Sequence, residues 1–285
     1  MKVAVTGASG HLGSAVIETL KQTEGITPIA IARSPSKARQ LAVEIRQGDY
    51  NSTAQLDKAF QGVDALLLVS GMASPDERLE QHKRVVDSAK RAGVARLVFA
   101  GIVVAESGGG FKPIQRASLA TEEYLKESGL GWSIGRNGIY IEPDLEYIDN
   151  YRRAGKIANC AGEGRCAYTC RPELALAYAR MLTEQQHEEQ TYVLAGQPIT
   201  QKTLAACINQ VFGTALEYES LTVEEYRRER QSALGDFLGA IIAGIYEGIR
   251  NGAMDVQSEF ERVVGRPHQS PIEMLRAWAA LQDAR

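Results

Sequence analysis

Apolar residues in the first half of the chain fall into short runs, separated by longer stretches with helical spacing. Val3 to Val5 is a β-branched run that predicts a strand, with a helix following over Gly13 to Lys21. Ile26 to Ala32 predicts a second strand, Pro35 to Leu41 a helix, and Val43 to Arg46 a third strand. Ser52-Thr53-Ala54-Gln55 has the form of a capping box, opening a helix that Gly62 ends. Asp64 to Val69 holds an unbroken apolar run, as expected of a strand buried on both faces. A helix over Pro75 to Ala92 stops at Gly93, and Leu97 to Ala100 supplies the next strand. Thr121 to Glu127 reads as a helix and Trp132 to Ile134 as a strand. Strands alternating with helices imply an α/β fold, a Rossmann-type doubly wound parallel sheet.

After residue 140 the rhythm loosens. Short strands are expected at Lys156–Asn159 and Thr191–Leu194, and helices at Pro172–Thr183 and Thr200–Phe212. Thr222 to Glu225 and Ser270 to Glu273 are further capping boxes, so the C-terminal third reads as mostly helical. The expected division is a Rossmann domain over 1–140 and a smaller substrate lobe over 141–285, some of whose segments return to the sheet. One stretch stands apart: Gly235 to Gly248 is too apolar for a solvated helix and contains four glycines. It is either a core helix packed closely through glycine or a mobile wall over the site that brings Phe237 and Tyr246 to the substrate.

Composition narrows the classes. With 285 residues and 44% hydrophobic content the chain can bury a large core. Its net charge of -3 comes with no basic block, which argues against nucleic acid or a membrane surface as partner. The strand pattern beginning at Met1 leaves no room for a cleaved leader. The run Phe237 to Tyr246 is far shorter than the roughly 20 residues of a spanning helix. A cytoplasmic protein, monomer or homodimer, is expected. The four cysteines lack zinc spacing and have no histidine nearby, so no metal site is expected.

The chemistry lies in the turn after the first strand, Thr6-Gly7-Ala8-Ser9-Gly10-His11-Leu12-Gly13. Gly7 permits a tight turn, Gly10 close approach of backbone to a pyrophosphate, and Gly13 close packing of helix on strand. The free N–H groups and dipole at the helix start favour the anion. The second strand ends at Arg33, where an NAD site places an acid for the ribose 2′-hydroxyl. A cation there, with Lys37 one turn later, suits a 2′-phosphate and so NADP(H) over NAD(H). The alternative is a solvated surface arginine.

With these motifs placed, the chain resembles the NmrA-like branch of the atypical short-chain dehydrogenases, and within it the quinone oxidoreductase type 2 and triphenylmethane reductase group. The likeness spans nearly the whole chain. It rests on Val5 to Gly13, Ala32-Arg33, Gly48-Asp49-Tyr50, Leu68-Val69-Ser70-Gly71, Leu119 to Glu122 and Arg136 to Tyr140. Ala161 to Gly164, Arg171-Pro172-Glu173 and Val264 to Pro267 continue it. The resemblance implies that Thr6 to His11 hold the pyrophosphate and Arg33 the 2′-phosphate. It places Asp49 and Tyr50 near the adenine, Ser70-Gly71 along the cofactor, and Asn137 and Tyr140 beside the nicotinamide and the substrate. Asp49 could instead be only a turn residue, and Tyr140 only a buried aromatic at a strand end.

The chain also departs from that pattern. None of its eleven tyrosines has a lysine four residues on, so the usual Tyr-x-x-x-Lys proton relay is missing. Ala100-Gly101 stands where relatives have Thr-Gly or Thr-Ser, and Ser118 where some have histidine. A poorly acidic hydroxyl substrate would need that acid–base help. A quinonoid or aromatic dye acceptor would not, which points to an NADPH-dependent reductase with Tyr140 as the candidate catalytic hydroxyl. A NADP(H) sensor without turnover is the other reading.

Overall fold

The computed structural model describes residues 1–104 and 112–283. Its strands are β1 (Lys2–Val5), β2 (Thr27–Ala32), β3 (Glu44–Gln47), β4 (Ala65–Val69), β5 (Arg96–Ile102), β6 (Gly131–Asn137), β7 (Ile139–Tyr140), β8 (Lys156–Asn159), β9 (Arg165–Thr169), β10 (Gln190–Leu194), β11 (Pro198–Thr200) and β12 (Glu217–Ser220). Its α-helices are α1 (His11–Lys21), α2 (Thr53–Ala59), α3 (Pro75–Arg91), α4 (Lys112–Glu127), α5 (Glu142–Glu146), α6 (Ile148–Ala154), α7 (Arg171–Thr183), α8 (Gln201–Phe212), α9 (Val223–Leu234), α10 (Asp236–Arg250), α11 (Phe260–Val264) and α12 (Pro271–Asp283).

Seven strands form one sheet in the order β10-β6-β5-β4-β1-β2-β3, and every pairing in it is parallel. Strand alternation sends Val3, Val5, Ala30, Leu67 and Val98 to one face, against α1, α7 and α11. Ala4, Ile29, Ile31, Leu66 and Phe99 go to the other, against α2, α3 and α4. The sheet is therefore doubly wound, and its central strands are apolar because neither face meets water. β10 lies far along the chain yet pairs with β6 from Gln190 opposite Ser133 to Leu194 opposite Asn137. Two small sheets, β11-β9-β7 and β12-β8, build the C-terminal lobe around Ile141, Leu145, Tyr168, Leu204 and Met274.

Several expectations need correction. Pro35–Leu41 is a 3₁₀ helix, closed by Ala42 in a left-handed conformation (φ 53°). At α2 only half of the capping box forms. The Ser52 hydroxyl accepts from the Gln55 amide, but the Gln55 carbonyl oxygen accepts from the Asp49 amide instead. The boxes at Thr222 and Ser270 are complete. α4 begins nine residues before its expected start because its inner face carries Gln115 and Ser118, buried polar residues that break the apolar period. Strands β7, β9, β11 and β12 were not apparent in the pattern; β12 is Glu-Tyr-Glu-Ser and largely exposed. Tertiary pairing overrode a weak local signal there.

The segment from Gly235 to Gly248 lies mostly in α10, which folds back on α9 as a helical hairpin. A side chain at Gly239 would stand 2.5 Å from the Gln231 backbone, so glycine permits the two helices to touch. Phe237 is 55% exposed and lines neither the cavity beside the glycine turn nor the tyrosine-lined one in the C-terminal lobe. No helix among the described residues is long and apolar enough to cross a membrane.

The C-terminal segment is tied to α7 by one buried carboxylate. Glu173, 1% exposed, accepts from both terminal nitrogens of Arg266 (2.8 and 2.6 Å) and from the Gln269 amide (3.1 Å). Losing all three at once should cost roughly 2–4 kcal/mol, the scale for hydrogen bonds to charged groups and for breaking a buried pair. Glu173→Ala is therefore expected to lower the urea midpoint clearly without changing the slope of the transition.

Candidate dinucleotide and acceptor site

The turn between β1 and α1 is shaped by one close approach. A side chain on Gly13 would lie 2.5 Å from the Gly7 carbonyl oxygen, so only glycine lets the helix sit this near the strand. Gly7 itself has φ +60°. Gly10 caps α1 in extended backbone with no side-chain bond, and His11 and Leu12 donate their amides to no backbone acceptor among the described residues. Ser9, Gly10 and His11 are exposed, while Leu12 and Gly13 are buried beneath them. An open cradle of free N–H donors at a helix start fits a pyrophosphate.

The neighbouring residues divide into two kinds. Arg33 and Lys37 are exposed beyond the end of β2, and among the described residues neither side chain has an ion-pair or hydrogen-bond partner. Their charges are free for an anion beside the cradle. Thr6 and Tyr50, by contrast, spend their hydroxyls internally. Thr6 Oγ1 donates to the Leu67 carbonyl (2.9 Å) and accepts from the Val69 amide (2.9 Å). The Tyr50 hydroxyl lies 2.6 Å from Thr6 Oγ1 and 2.7 Å from the Val69 carbonyl, and burial raises its pKa. These two residues shape the floor, and their hydroxyls are not offered to a ligand. Asp49 Oδ1 accepts from the Asn51 amide (2.9 Å), which is a turn-forming role. Ser70 and Gly71 follow β4 as half-buried backbone, and a side chain at Gly71 would stand 3.9 Å from the Tyr50 ring.

At the far end of the sheet, Asn137 closes β6. Its Oδ1 accepts from the Tyr178 hydroxyl on α7 (2.5 Å), and its Nδ2 donates to the Tyr140 hydroxyl (3.2 Å). This orients the Tyr140 oxygen, whose own proton has no acceptor among the described residues. Burial pushes the Tyr140 phenol up to about 12, against a smaller lowering by Asn137. Glu122 and Arg136 form a paired group nearby, with the glutamate 1% exposed and the closest approach 2.7 Å.

A cavity of about 670 Å³ opens beside the glycine turn, lined by His11, Ile141, Glu142, Arg171, Met274 and Trp278 among others. Glu142 is 6% exposed and accepts from the Arg171 amide at 2.6 Å. Sequence reading did not single out Glu142, Tyr178 or Trp278. Glu142 follows Tyr140 by two residues, a local hint; Tyr178 sits inside an apolar helix and gave none. Cys160 and Cys170 are buried, their thiols raised to about 11 and about 12 by desolvation, which keeps them as unreactive thiols.

Comparison with known proteins identifies the family. Residues 7–162 match the family described as NAD(P)H-binding. Quinone oxidoreductase 2 of Escherichia coli is 34% identical over 93% of this chain and 94% of its own length. The chain belongs to the NAD(P)H-binding, NmrA-like oxidoreductase family. Among solved structures, a Citrobacter triphenylmethane reductase complexed with NADP(H) superposes with a TM-score of 0.88. It is 34% identical, with 97% of this chain and 99% of that one covered. NmrA, a negative transcriptional regulator solved with NADP, shares the fold at a TM-score of 0.76 and 14% identity, covering 99% of this chain and 96% of that one.

Within this family, the glycine cradle makes a direct prediction. Gly10 already has extended backbone (φ -89°, ψ 169°), so valine suits the backbone there once the Gly7 carbonyl oxygen, 3.2 Å from its Cβ, gives slightly, but it fills the space above the helix start. Gly10→Val should abolish NAD(P)H binding, read by nucleotide fluorescence, with circular dichroism unchanged. Normal binding by this variant would show the run to be an ordinary turn.

Proposed function

We propose that the chain is an NADPH-dependent reductase of activated, flat acceptors such as quinones or aromatic dyes. The observation that carries this reading is the Tyr140 phenol: held by Asn137, free to donate, and raised to about 12 by burial, which outweighs the lowering by Asn137 and by the Arg171 charge. Such a hydroxyl can orient or polarise an acceptor oxygen, but it is a weak acid. A substrate whose delocalised system takes the negative charge suits it, because water can protonate the product later. The named activities of the relatives, quinone oxidoreductase, triphenylmethane reductase and NAD(P)H azoreductase, support the same class.

The cofactor, when bound, supplies the hydride. Ser9, His11 and Leu12 would hold its pyrophosphate by backbone donors, with Gly10 leaving room for its approach and Gly13 supporting the turn. Arg33 and Lys37 would take a 2′-phosphate, while Thr6, Asp49, Tyr50, Ser70 and Gly71 form the bed beneath. Asn137 fixes the Tyr140 oxygen at the end of the sheet. The largely apolar cavity beside His11 would admit the acceptor and exclude water from its walls.

Three measurements test this. NADPH should bind more tightly than NADH, and Arg33→Ala should remove most of a roughly 10- to 100-fold difference, the worth of one charge-assisted contact. Equal dissociation constants in the unaltered protein would sink the NADP assignment. Tyr140→Phe should lower turnover by less than about 10²-fold, the lower end of general acid catalysis. The pH–rate profile should also keep its shape between pH 6 and about 10, since a phenol raised to about 12 stays protonated throughout that window. NADPH oxidation with a panel of quinones and triarylmethane dyes checks the class. Tight NADPH binding with no turnover on any acceptor would identify a sensor instead.

A further inference from the structure

The C-terminal lobe holds a second cavity, of about 450 Å³, that shares no lining residue with the one beside the glycine turn. The α5–α6 segment stands between them. Glu142, Leu145, Glu146 and Asp149 line the first cavity, whereas Asp144, Tyr147, Asn150 and Tyr151 line the second. Neither the glycine turn, Arg33, Asn137 nor Tyr140 lines this second space; of the residues expected at cofactor or substrate, Tyr246 alone does.

Its walls are unusual in chemistry. Tyr147, Tyr151, Tyr226 and Tyr246 all line it, in two edge-to-face pairs with ring centroids 5.3 Å apart. Asp144, 4% exposed, lies among them and accepts the Tyr151 hydroxyl at 2.7 Å, with a further bond from Tyr246. Among the described residues no cation is paired with this carboxylate. The two cations of the wall are engaged elsewhere, Lys156 with Glu219 and Arg230 with Glu229. The Arg230 guanidinium also rests 5.4 Å over the Tyr226 ring, so a cation is stable against this wall although that ring face is taken. Burial raises the Asp144 carboxyl to about 6, which leaves it mostly ionised at neutral pH and without a counter-ion. Tyr147 and Leu234, 41% and 44% exposed, form a rim open to solvent.

We propose that this cavity is a binding site for an organic ammonium ion bearing an aromatic group, held by the Asp144 carboxylate and the faces of the surrounding tyrosines. A carboxylate that accepts two phenol protons retains lone pairs for an ammonium donor. Aromatic faces carry the negative side of the ring quadrupole and favour the same charge. The leucines and isoleucine of the wall, Leu221, Leu234 and Ile242, suit the apolar part of such a ligand.

The test is calorimetric titration of the full chain with 2-phenylethylammonium chloride, with and without saturating NADPH. The expected result is one-to-one binding that NADPH leaves unchanged, with the uncharged 2-phenylethanol at least about 10-fold weaker. Asp144→Asn keeps the size and the hydroxyl acceptor but removes the charge; it should weaken the ammonium about 10-fold or more while NADPH binds as before. Tyr147→Ala, at the exposed rim, should weaken it several-fold without touching the core, and decides the matter if Asp144→Asn does not fold. No ammonium binding, equal affinity for the alcohol, or one-for-one displacement by a quinone that the protein reduces would overturn the proposal.

Discussion

Thr6 fixes the geometry on which the dinucleotide site depends. It is fully buried at the end of β1, and its amide and hydroxyl both engage β4, at Leu67 and Val69. The Tyr50 hydroxyl then joins the same oxygen from the turn after β3. Three segments distant in sequence are thus pinned where the chain leaves the sheet. The glycine turn starts from that anchored point, so its free amides face a defined direction. A hydroxyl in this position is worth more than its own hydrogen bonds, because buried donors and acceptors at three strand ends would otherwise lack partners.

Beyond the cradle, tertiary packing sets the remaining chemistry. Asn137 couples Tyr178 on α7 to Tyr140 on β7, so a helix on one face of the sheet orients a hydroxyl at its edge. The Arg171 charge lowers that phenol less than burial raises it, so it stays a weak acid, which limits the substrates it can assist. Immediately afterwards, α5 and α6 present alternate residues to two different cavities. One side presents Leu145 and Ile148 with the acids Glu142, Glu146 and Asp149; the other holds Asp144 among tyrosines. A single short helical stretch therefore determines the character of both spaces.

The α9–α10 hairpin shows why an apolar, glycine-rich segment need not be a lid. Gly239 lets α10 lie directly on the α9 backbone. Ile241 and Ile245 pack into the lobe core, and Tyr246 reaches Asp144 from above. Phe237, one turn earlier, projects outward because the hairpin has already turned its inner face elsewhere. Both readings of this segment were compatible with its hydrophobicity; the close packing through glycine is the part that the structure shows.

The sequence by itself determined the doubly wound sheet, the glycine cradle and the free cation after β2. Each is a local matter: apolar runs set strands, glycine spacing sets the turn, and Arg33 directly follows its strand. The first half of the chain was legible for this reason, down to most strand boundaries. Only the tertiary structure decided the rest. The beginning of α4 was hidden by buried Gln115 and Ser118, and β12 by exposed glutamates, because pairing and packing rather than periodicity hold them. Thr6 and Tyr50 carry the right motif, yet their hydroxyls find each other across 44 residues, which no spacing along the chain reveals. Of the residues grouped in the sequence as substrate residues, Tyr140 ends a strand, Phe237 is exposed on α10 and Tyr246 lines the tyrosine-rich cavity. Which side chains share a space depends on how helices cross, and that information lies in their mutual packing, not in any one of them.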